Sequence, residues 1–196
     1  SKSDDAQAQL SFSGRTMGYQ LAMNQAIGLG VLDDQMAAIR DLNRNLEFRK
    51  AIKHAIDGKA FAKAMSKGPF VTVYAGGLAR DSAFFDADAT SFFPYNPAGA
   101  NALLDGLGLM DTDGNGIRNL ANGGGDLVIN LVQNKDSENE KLIGDGLATM
   151  MAEVGIKLNL KPMEDTEPTR QAGEWDWAIS RAQQEFAFPN SGYWSE

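Results

Sequence analysis

The sequence predicts an α/β fold, a mostly parallel sheet flanked by helices, and three observations in its back half carry that expectation. The run from Leu127 to Val132 is short, apolar and rich in branched side chains, as a strand buried on both faces should be. Ile156, Leu158 and Leu160 then alternate with Lys157, Asn159 and Lys161, and Trp175 to Ile179 alternates again, so two further strands are expected. Between the first two, Leu142, Ile143, Leu147, Met150, Met151 and Val154 recur at helical spacing. Strands joined by helical crossovers run parallel with right-handed connections.

The bounds are those of an ordinary globular chain. Its 196 residues suffice for one domain and are 43% hydrophobic and 22% charged. A net charge of −8 and the lack of a basic cluster speak against nucleic acid as a partner. No apolar run approaches the ~20 residues that cross a bilayer. Without cysteine there is neither a disulfide nor thiolate chemistry.

In chain order, residues 1–15 read as a polar, flexible linker and 16–196 as a single α/β lobe. Met17, Tyr19, Leu21 and Met23 alternate with polar or small residues, which predicts a strand ending at Asn24 and broken by Gly28 and Gly30. Asp33 or Asp34 caps a short helix toward Leu42. Phe48, Ala51, Ile52, Ala55 and Ile56 mark one face of the next helix, from near Asn45. Asp57-Gly58 breaks it and opens another, carrying Phe61, Ala64 and Met65. His54, the single histidine, reads as a surface or half-buried residue rather than a catalyst. From Pro69 to Tyr95 periodicity fails, which suggests a long loop pinned by aromatic residues. Gly76-Gly77 within it is a turn, since no Gly-Lys-Ser/Thr follows.

Asn96-Pro97 is a helix start, cap followed by proline, for Ala100, Leu103, Leu104 and Leu107. Asp111-Thr112-Asp113-Gly114-Asn115-Gly116 opens like a calcium loop, with alternating oxygen ligands and a glycine at the sixth place. Asn122 at the twelfth place supplies no bidentate carboxylate, and an Asx-rich turn explains the same residues. Ser137 with Glu140 has the spacing of a capping box, and Gly155 is placed to close that helix. A polar connection with a short helix (164–173) leads to the last strand.

Ligands of such sheets gather beyond the carboxyl ends of the strands. Arg181, Gln183 and Glu185 follow the third strand of the back half and are the candidate binding residues, with Asn24 a fourth. Each also reads as a solvated loop residue, and Arg181 with Glu185 as a surface ion pair worth under about 1 kcal/mol. No catalytic residues, cofactor or resident metal are expected. A hydrolase on the same kind of sheet would need Asp/Glu chemistry, because a Gly-x-Ser-x-Gly elbow and cysteine are lacking. A calcium-binding structural module would rest on Asp111 to Asn115 alone.

Several segments together resemble the family 5 extracytoplasmic solute-binding proteins of ABC importers, the oligopeptide-binding type. Asn45 to Asp57 is similar to that family's Arg-x-Ala … Ala-Ile-Asp helix, and Pro94-Tyr95-Asn96-Pro97 through Gly108 to its Tyr-Asp-Pro … Leu-Leu … Gly helix. The Asp111 to Gly116 turn, the Leu142 to Leu160 stretch with its Gly-Ile-x-Leu, and Trp175-Asp176-Trp177 complete the series. Asn96 stands where the family usually has Asp, and both cap helices. The resemblance covers about residues 16–188. It implies one lobe of a type II periplasmic-binding-protein-like fold, with the first lobe, the signal peptide and the returning segment missing. It also implies a periplasmic or membrane-tethered extracytoplasmic location and a small-molecule or peptide ligand delivered to a membrane permease. In peptide-binding members an acidic residue just after the strand matching Trp175–Ser180 pairs with the ligand's amino group. Glu185 lies at or near that place.

Overall fold

The computed structural model describes residues 15–65, 86, 88–89, 93–121 and 123–185, with side chains from 18 to 181 within them. Residues 1–14, most of the expected 69–95 loop, Gly76-Gly77 and the tail from 186 lie outside. The described residues fall into two compact units. Of the described residues the larger holds those within 20–65 and 93–180; the smaller holds the outer parts of two strands, 15–19 and 181–185, with 86 and 88–89.

In the larger unit, local chemistry sets the helix boundaries. The Asp33 side chain accepts the Met36 amide at 2.7 Å and starts α1 (Asp34–Arg44). Asn45 caps α2 (Leu46–Ala55) through the Glu47 and Phe48 amides, and Asp57 takes the Lys59 and Ala60 amides at the start of α3 (Gly58–Met65). Asn96 caps α4 (Pro97–Gly106) through the Gly99 amide. Phe48, Ala51, Ile52 and Ala55 are all buried, and α2 packs on α4, where Ala100 and Leu104 face inward.

β2 (Val128–Asn134) is an inner strand of the sheet. It pairs in parallel with β3 (Lys157–Met163) from Val128↔Lys157 to Asn134↔Met163. On its other side it pairs in parallel with β4 (Trp177–Glu185) at Leu131↔Trp177 and Val132↔Ala178. α5 (Glu138–Ala152) is the β2–β3 crossover, begun where Ser137 Oγ accepts the Glu140 amide and the Glu140 carboxylate accepts the Asn134 amide at 2.7 Å. Ile143, Leu147 and Met151 of α5 close over Ile129, Leu131 and Ile156 to form the core. Gly155, at φ +75°, turns the chain into β3. α6 (Glu167–Ala172) ends at Gly173, at φ +76°, just before β4.

The expected parallel trio is therefore present. The sheet order is β1-β4-β2-β3, with β1 (Arg15–Met23) beside β4. The Asn24 amide, just past the end of β1, donates to the Asp176 carbonyl, just before the start of β4, at 2.9 Å. β1 thus runs against β4, and the sheet is mixed. At the far edge, exposed Lys157 and Lys161 with Pro162 discourage another strand from adding to β3.

Candidate binding site

The polar run expected as a loop beyond the last strand is strand. β4 continues through Arg181, Gln183 and Glu185, whose positions alternate with Ala182 and Gln184 and share one face. A polar run lacks the apolar alternation that signals a strand, but an antiparallel neighbour satisfies its backbone all the same. Arg181 is exposed, and its guanidinium lies over the half-buried ring of Tyr19 at 5.9 Å from the centroid. β1 and β4 are neighbours in the sheet, so the two side chains meet across adjacent strands. Tyr19 was readable as a strand residue, but its partner was not.

Asn24 has a different place. It is buried at the amino end of β4, its Nδ2 donates to the Gly173 and Trp175 carbonyls at 3.3 and 3.1 Å, and its Oδ1 accepts the Ala26 amide at 3.0 Å. Asn43 Nδ2 donates to the Asn24 carbonyl at 2.9 Å, and Asn43 Oδ1 accepts from the Trp177 indole at 2.8 Å. Buried Arg40 adds bonds to the carbonyls of Ala26, Leu29, Gly173 and Trp175. These polar groups tie the root of β1, α1 and the start of β4 into one knot.

Asp176 completes the knot. Its Oδ2 accepts from the Asn130 amide and Asn130 Nδ2, both at 2.9 Å. Burial pushes its carboxyl above the usual value, against the pull of those bonds and of the Arg40 charge, while Asp33 adds to the rise. A carboxyl whose folded value is raised holds its proton more tightly in the fold than when unfolded. Its contribution to stability is then greatest below the unfolded value of 3.8 and declines as pH rises through the raised one. Asp176→Asn should flatten that decline, seen as a smaller difference in urea-unfolding free energy between pH 3 and pH 7. An unchanged difference would place the titration elsewhere.

The Asp111 to Gly116 segment closes on itself. Asp111 accepts the Gly114 and Gly116 amides at 2.7 and 2.9 Å, and Asn115 Nδ2 donates to Asp113 and Asp126. The Gly116 bond, with that from Gly114, holds the Asp111 carboxyl below its usual range despite some burial. The Asx-turn reading accounts for these contacts, and among the described residues no three His, Cys, Asp or Glu side chains converge as a metal centre would. A shallow groove of about 250 Å³ beside β3, lined by Gly116, Ile117, Ala148, Ala152 and Lys157, brings no set of polar groups together.

The model of the bacterial extracellular solute-binding proteins, family 5, matches residues 2–195. The chain belongs to this family. Membership in this solute-binding family leaves the hydrolase and calcium-module alternatives without support. This family 5 chain is 38% identical, over 94% of its length, to a periplasmic alpha-galactoside-binding protein of Rhizobium meliloti, of which it covers 27%. It is 36% identical to the periplasmic binding protein MelB of Agrobacterium fabrum, solved in complex with stachyose, at a TM-score of 0.81. That match covers 86% of this chain and 26% of MelB. An oligopeptide-binding protein OppA matches at a TM-score of 0.72 and 18% identity, over 89% of this chain and 26% of that one, a likeness of fold alone. The chain thus spans about a quarter of the length of these relatives. Among the described residues no helix is long and apolar enough to cross a membrane.

Proposed function

We propose that the chain is part of the second lobe of a two-lobed periplasmic binding protein that captures an oligosaccharide of the α-galactoside class and delivers it to an ABC permease. The observation that carries this reading is the 38% identity, sustained over nearly the whole chain, to an alpha-galactoside-binding protein. The stachyose held by MelB points the same way, whereas the OppA likeness supplies no ligand. A peptide ligand, implied by the sequence resemblance, gives way to a neutral sugar. Closure of two lobes on the ligand, with no bond made or broken, is the transport signal.

In this reading Arg181, Gln183 and Glu185 read the sugar. Guanidinium and amide N–H groups donate to hydroxyl oxygens, the carboxylate accepts from hydroxyls, and one face of β4 carries all three positions. Asn24 serves the fold instead, through the knot at the root of β4. Calorimetric titration of the full-length protein should give heat with raffinose or stachyose and none with tri-alanine; heat from the peptide alone would overturn the reading. Arg181→Ala and Glu185→Ala should each weaken stachyose binding by about tenfold or more, as loss of a charge-assisted hydrogen bond does. Unchanged affinity in either would remove that residue from the site.

A further inference from the structure

Arg181 is a long side chain with several rotatable bonds, and such a group binds a neutral ligand poorly if it must first be ordered. The structure holds a device that orders it in advance. Tyr19 on β1 and Arg181 on β4 lie on neighbouring strands, and the guanidinium carbon sits 5.9 Å from the ring centroid, within the range where a cation is held by an aromatic face. A guanidinium carries five N–H donors, more than one ring face can engage. Both residues lie in the smaller unit.

We propose that Tyr19 is the positioning residue for Arg181: its ring holds the guanidinium in one orientation on the β4 face, so that the N–H edges meet the hydroxyl oxygens of one sugar ring. This rests on the sugar-binding reading above. It assigns no direct ligand contact to the Tyr19 hydroxyl, so the ring matters and the oxygen does not. The ring is also required only where there is a guanidinium to hold.

The test uses the full-length protein with stachyose as probe. Tyr19→Leu should weaken stachyose binding by about two- to fivefold, the fold-change of an exposed cation–ring contact. Tyr19→Phe should leave it unchanged. In an Arg181→Gln background Tyr19→Leu should add no further loss. Without ligand, the Arg181 side-chain protons should lose a ring-current shift in Tyr19→Leu and keep it in Tyr19→Phe. Unaltered affinity in Tyr19→Leu, or a loss that repeats in full in the Arg181→Gln background, would overturn the proposal, the second by showing that Tyr19 acts on the strand rather than on Arg181. Should the shift respond as expected while wild-type protein takes no stachyose, the ring–guanidinium pair stands. The sugar reading, and with it the donor role of Arg181 toward hydroxyls, is then overturned.

Discussion

Arg40→Met should lower the stability of the fold by about 3–5 kcal/mol, the cost of removing one member of a buried charged network. Arg40 is buried to 1% exposure and reaches four backbone carbonyls, on Ala26, Leu29, Gly173 and Trp175. Methionine fills the same volume but donates nothing, so those carbonyls lose a buried partner. Asp176, itself 1% exposed, also loses the positive charge that opposes its desolvation, so its carboxyl rises further. That coupling sets the pH dependence. The cost of Arg40→Met should therefore be smallest at pH 3, below the ordinary carboxyl value, and grow toward pH 7 as the charge that favours ionised Asp176 is missed. Denaturant unfolding at the two pH values checks both points, and an equal loss at each would separate Asp176 from Arg40. Burial itself opposes the arginine charge, lowering its pKa, with Asp176 acting against that effect.

What the sequence made legible follows from where the determining contacts lie. The starts of α2, α4 and α5 were readable because Asn45, Asn96 and Ser137 bond to amides two or three residues ahead. β2 was readable because its burial writes itself into an apolar run, and β3 because half-buried Leu158 and Leu160 alternate with exposed residues. α1 extends past its expected end at Leu42 to Arg44. Its inward face carries Arg40 and Asn43 beside Met36 and Ile39, and polar residues on a buried stripe mask the helical period. The antiparallel entry of β1 depends on a bond between residues 24 and 176, which no local window contains. The same distance in sequence hid Tyr19 from Arg181. Arg181, Gln183 and Glu185 were picked out by their place after an alternating run, but their own run lacks apolar alternation and so read as loop rather than strand. The ligand class was not, because guanidinium, amide and carboxylate groups suit a peptide terminus and a sugar hydroxyl alike.

Gly30→Ala should destabilise by about 2–5 kcal/mol, combining the strain of a left-handed alanine with a backbone clash. Gly30 has φ +64°, and a Cβ there would lie 2.3 Å from both the Ala172 carbonyl oxygen and the Gly173 carbonyl carbon. These are backbone atoms at the turn from α6 into β4, so no rotamer change relieves the overlap. Gly173 answers in kind: its own Cβ would meet the Leu29 carbonyl oxygen at 2.8 Å. Two left-handed glycines thus let the loop after β1 lie against the turn before β4, close enough for Arg40 to bond to the Leu29 and Gly173 carbonyls together. Since pushing the loop away removes what Arg40 holds, the two substitutions should not add. The double variant Gly30→Ala, Arg40→Met should lose less than the sum of the single losses, by more than the ~0.5 kcal/mol expected of independent sites. Strict additivity in thermal or denaturant unfolding would mean that Arg40 keeps its bonds when the loop moves. The knot would then be two separate clamps.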